Sequence, residues 1–69
     1  MLFHVPDLDF ERDAPRIADA FAARDPAAMV VAGGAPGNLR VVARLDARRM
    51  LATLADAGFA AVPEWQLLA

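Results

Sequence analysis

One histidine and four carboxylates, His4, Asp7, Asp9, Glu11 and Asp13, fall within residues 4–13 of this chain. Carboxylate oxygens with one imidazole nitrogen are ligands for a hard or borderline divalent cation, so a loop folded back over His4 would form a metal site. The pair Asp9 and Glu11 would serve acid/base chemistry only inside a desolvated cleft, and 69 residues leave little room for one. The chain has no Ser, Cys, Tyr or Lys, so most of the nucleophiles that His4 could activate are missing. These residues therefore argue against an enzyme. A structural reading competes with ligation and is preferred. Asp13 before Ala14-Pro15 caps a helix, while Asp7, Asp9 and Glu11 are solvated charges at its positive end. No cofactor is expected on that reading; the alternative is a divalent metal ion held by His4, Asp7, Asp9, Glu11 and Asp13.

Composition removes other classes. Without cysteine there is no disulfide framework, redox motif or thiolate site for Zn(II) or Cu(I). With 58% hydrophobic and 23% charged residues the chain should fold, and no uncharged run is long enough to span a bilayer. A net charge of −2 is not the footprint of a nucleic-acid binder. The basic concentration Arg40, Arg44, Arg48 and Arg49 is divided between a strand and a helix start, where it reads as solvated surface. No secretory leader is legible in Met1–Val5, which makes the cytoplasm the expected location.

The elements that must position these residues are readable from spacing. Leu2–Val5 alternates as a strand, with Phe3 and Val5 on the core face and His4 on the other. Ile17, Ala20 and Phe21 make one stripe of a helix that starts at Asp13 and ends at Asp25-Pro26. Strands over Ala28–Ala32 and Leu39–Leu45 flank the turn-rich Gly33–Asn38. That loop reads as a hairpin turn, since a phosphate cradle would need it to open a helix. Leu39, Val41, Ala43 and Leu45 share one face of the second strand; Arg40, Val42 and Arg44 share the other. Asp46 caps a helix carrying Met50, Leu51, Leu54 and Ala57, and Gly58 ends it in a left-handed turn. Phe59–Val62 fits a last strand that Pro63 stops. The order strand, helix, strand, strand, helix, strand predicts an α+β, ferredoxin-like βαββαβ fold, a four-stranded antiparallel sheet with two helices on one face. RNA-recognition modules share this order but stack bases on aromatics of the open sheet face, where the central strands here offer His4 and Val42 beside Arg40 instead.

Over residues 2 to about 62 the chain resembles the heavy-metal-associated domain of small copper chaperones, mercury-binding proteins and metal-transporting P-type ATPases. That family joins a strand through a Gly-Met-x-Cys-x-x-Cys loop to a helix and closes on a Leu-rich helix ending in Gly-Tyr or Gly-Phe. Here Val5-Pro6-Asp7-Leu8-Asp9-Phe10-Glu11-Arg12-Asp13 falls on the loop, with Leu8 at the Met position. Ile17 and Ala20-Phe21 fall on the first helix, and Leu54-Ala55-Asp56-Ala57-Gly58-Phe59 on the closing one. The resemblance implies metal handling, while Phe10 and Asp13 stand at the two Cys positions. A phenyl ring is no ligand and a single carboxylate is poorly matched to Cu(I). Residues 1–63 thus read as a heavy-metal-associated-like domain and 64–69 as an apolar tail. Phe10 at the loop is expected to fold inward or to serve as a contact. The expected role is a non-enzymatic protein-interaction or regulatory module. It would contact a protein partner, or a second copy, through the open sheet face, Phe10 and the tail residues Trp65, Leu67 and Leu68, the alternative for the tail being to fold over its own sheet. Neither nucleic acid nor membrane is an expected partner.

Overall fold

The computed structural model describes residues 1–67. Its elements run β1 (Leu2–His4), α1 (Phe10–Ala22), β2 (Met29–Ala32), β3 (Asn38–Val42), α2 (Ala47–Asp56), β4 (Val62–Pro63) and a single helical turn, α3 (Glu64–Leu67). The strands form one antiparallel sheet in the order β2-β3-β1-β4. This is the expected ferredoxin-like arrangement. The core is Phe3 and Val5 from the first strand and its exit, Leu39 and Val41 from β3, Ile17 and Phe21 from α1, and Met50 and Leu54 from α2. Period 2 on the strands and i, i+4 or i, i+3, i+4 spacing on the helices put these side chains between sheet and helices. The opposite sheet face is open, and Met29 and Val42 on it are 60% and 57% exposed.

Boundaries differ from expectation in instructive places. α1 begins a full turn early: Asp9, not Asp13, is its N-cap and accepts from the Arg12 N–H. The Asp13 N–H already donates to the Asp9 carbonyl at 2.8 Å, a bond of the helix ladder. Pro15 consequently lies inside the helix rather than in its first turn. β3 ends at Val42, short of Leu45. β4 is only Val62–Pro63, so Pro63 belongs to the strand instead of stopping it. The β1–β3 bonds from Val5 N–H to Gly37 and from Val41 N–H to Met1 fix which residues of β1 face β3. By alternation Phe3 also faces β3, so Pro63, opposite Phe3, is not asked to donate. Gly58 ends the second helix at φ +96° and Asp46 caps its start, both as expected.

Candidate functional site

The segment between β1 and α1 is built from a turn and a cap. Leu8 N–H donates to the Val5 carbonyl across Pro6-Asp7, and Asp7 takes a φ of 61°. Proline second and a left-handed residue third is the type II turn pattern, which Asp tolerates better than most side chains. The turn delivers Asp9 to the helix start and Phe10 to the first helical position. Phe10 is half-buried against the core, so the inward packing is what the structure adopts.

Asp13 is the centre of the site. It lies on the same helical stripe as Ile17 and Phe21, at i, i+4 and i+8, and that stripe faces the core. Its side chain is therefore only 2% exposed. A carboxylate so placed needs donors; Arg12 and the Asp9 backbone supply them, and Arg16 adds a nearby positive charge. Arg12 donates through Nε to Oδ1 at 3.0 Å and through Nη2 to Oδ2 at 3.2 Å. The Asp9 backbone N–H donates to Oδ2 at 3.1 Å, closing a reciprocal cap with the Asp9 side chain. The Arg16 guanidinium stands 3.8 Å from Oδ1, and its Cζ lies 5.1 Å from the centre of the Phe59 ring. The hydrogen bonds from Arg12 hold the Asp13 carboxyl below its ordinary range, against the opposing effect of burial. The Asp9 N–H and the charges of Arg12 and Arg16 add to the lowering. The same pairing raises the Arg12 guanidinium.

The proposed ligand set does not assemble. Among the described residues no three His, Cys, Asp or Glu side chains come together as a cation site. His4 lies on the open sheet face, its Nδ1 3.1 Å from Asn38 Oδ1, tying β1 to β3. Asp9 is committed to the cap, Asp7 to the turn, and Glu11 is exposed. Asp13 is committed to Arg12. The structure thus does not bring His4, Asp7, Asp9, Glu11 and Asp13 together as one ligand set, and the chain's own N–H donors occupy Asp13, the buried acid of the five. At the two positions the resemblance assigns to cysteine, the residues present do not fit a soft ion either, since Phe10 has no donor atom and Asp13 offers hard oxygens already bonded to Arg12 and the Asp9 N–H.

Arg12 is the residue sequence reading overlooked, and its signal was available: an acid on an apolar stripe demands a neighbouring cation. Asp25 was overlooked as well. It was read as a helix end, but it is buried and accepts from the Ala27 N–H at 3.0 Å and the Arg44 N–H at 2.8 Å. Those bonds, Arg44 first, lower its carboxyl and fasten the entry of β2 to the exit of β3. Of the expected contact residues, Trp65 is 56% exposed on α3. The side chain of Leu67, and Leu68 altogether, lie outside the described residues. No helix among the described residues is long and apolar enough to cross a membrane.

No family model matches the chain, and no curated protein matches it. Solved structures do. The copper chaperone Atx1 in a side-to-side arrangement superposes with a TM-score of 0.80 at 19% identity, covering 90% of this chain and 98% of its own. The trimeric Cu1 form of a mutant of the copper chaperone Atx1 from Synechocystis PCC6803 gives 0.79 at the same identity and coverage. A gold-binding protein gives 0.74 at 28% identity, over 88% of this chain and 94% of its own. The chain has the fold of the heavy-metal-associated domain and lacks the cysteine pair, with Phe10 and an Arg12-bound Asp13 at the helix start.

Proposed function

We propose that this domain is a non-enzymatic interaction or regulatory module that works in the cytoplasm without carrying a metal. The observation that carries the reading is the two-pronged hydrogen bonding of Arg12 to buried Asp13. A cation arriving at Asp13 would have to displace a guanidinium already bonded through two N–H groups, and no cluster of three His, Asp or Glu side chains among the described residues is assembled to receive it. What the scaffold retains for partners is surface: the open sheet face with Met29, Val31 and Val42, and Trp65 at the carboxyl end, with half-buried Phe10 beside the first loop. Exposed apolar groups gathered on one face favour a protein contact.

A ligand that binds only the native state raises its melting temperature by mass action. Melting the metal-stripped protein with and without Cu(I), Zn(II), Ni(II) and Mn(II) therefore tests the reading. No ion should move the transition. A rise of several degrees with any of them, abolished in the His4→Ala, Asp13→Ala double variant, would overturn it and restore a metal site at the first loop.

A further inference from the structure

The sheet has two edges, and they are finished differently. β4 is two residues long, contains Pro63 and runs directly into α3, so it offers little for another strand to join. β2 is four residues, Met29-Val30-Val31-Ala32, without a charge or a proline. Natural edge strands are usually blunted by such residues, and β2 is not.

Hydrogen-bond alternation shows what this edge presents. The Gly33 N–H donates to the Asn38 carbonyl, which makes 33 and 38 a bonded pair of the β2–β3 ladder. Counting back by twos along the register, Val31 with Arg40 and Met29 with Val42 are bonded pairs. Val30 and Ala32 therefore turn their N–H and C=O groups outward, two residues apart. That is the spacing an incoming antiparallel strand requires.

We infer that β2 pairs with β2 of a second copy, antiparallel about a two-fold axis at Val31, joining the two sheets into one. In this register Val30 and Ala32 of one copy exchange both backbone bonds with Ala32 and Val30 of the other. Val31 meets its own counterpart on the open face, and Met29 lies opposite Gly33, a large side chain against none. Residues 28–34 carry no ionisable side chain, so no like charges are opposed along the paired strands, and the register is self-complementary. The area fits a reversible contact. A stable dimer buries about 800 Å² per partner, roughly a fifth of the 4397 Å² surface here. A four-residue edge supplies less than that, so the pairing is concentration-dependent rather than permanent. The inference concerns the sheet edge and holds whatever the first loop binds.

Sedimentation equilibrium from about 10 μM to about 1 mM covers the weak range and reads the pairing directly. The average mass should climb toward twice the monomer value. Ala32→Pro removes an outward N–H that β3 does not use, and Val31→Lys sets two ammonium groups face to face across the axis. Both should stay monomeric at every concentration, with circular dichroism unchanged for Val31→Lys in case the proline disturbs the strand. A wild-type chain that remains monomeric at the highest concentration overturns the inference. So does a dimer that Val31→Lys leaves intact.

Discussion

A carboxylate on the buried stripe of a helix must find donors, and Asp13 finds them within one turn in the Asp9 N–H and the Arg12 guanidinium, with the charge of Arg16 3.8 Å away. Replacing Arg12 by Ala leaves the acid with one backbone donor and a distant guanidinium. The Arg12→Ala variant should melt lower, and carboxyl NMR should show the Asp13 pKa moving up from its depressed position. The wild-type acid limb follows from the same cause. Asp13 and Asp25 both sit below the ordinary 3.8 of a carboxyl. Their contribution is thus fully present above that value and is lost as pH falls through the lower folded-state values. Melting temperature should decline below about pH 4, and less steeply in Asp25→Asn, whose side chain no longer titrates. A limb of equal slope in that variant would mean that the Arg44 and Ala27 donors do not hold the charged form.

Helix α1 shows where local sequence signals mislead. Asp followed two residues later by Pro is a proper helix start, and Asp13-Ala14-Pro15 reads as one; yet Asp9 takes the cap and the helix runs through Pro15. The tertiary reason is Phe10, which the extra turn packs against the core on the same helical side as Ile17 and Phe21. A proline inside a helix forfeits one backbone bond and crowds the preceding turn. Pro15→Ala should therefore stabilise the domain by about 1–3 kcal/mol, measured by urea titration. Were Asp13 the true cap, Pro15 would sit in the first turn and the substitution would be neutral or mildly destabilising. The other elements were legible because their local and global preferences agree. Asp46 and Gly58 bracket α2 as cap and left-handed stop, and Gly33–Asn38 turns the hairpin. Pro63 misled for the opposite reason to Pro15, since an outer strand position next to Phe3 asks no N–H of it.

The molecule as a whole was readable in its order of elements and in the apolar periodicities that make the core, both of which are repeated, redundant signals. Its site was not, because a site here is a single pair, Arg12 with Asp13, whose meaning depends on burial that only the full packing decides. The fold matches that of the copper-chaperone structures, while the two positions that the resemblance assigns to cysteine hold a phenyl ring and an acid paired with Arg12. If the scaffold alone is retained, returning the thiolates should return the chemistry. The decisive measurement is competition for Cu(I) against a chromogenic chelator, run on the wild-type chain and on the Phe10→Cys, Asp13→Cys double variant. The wild type should leave the chelator's copper untouched, and the variant should withdraw one ion per chain. Copper withdrawn by the wild type as tightly as by the variant would contradict the central claim that this domain works without a metal.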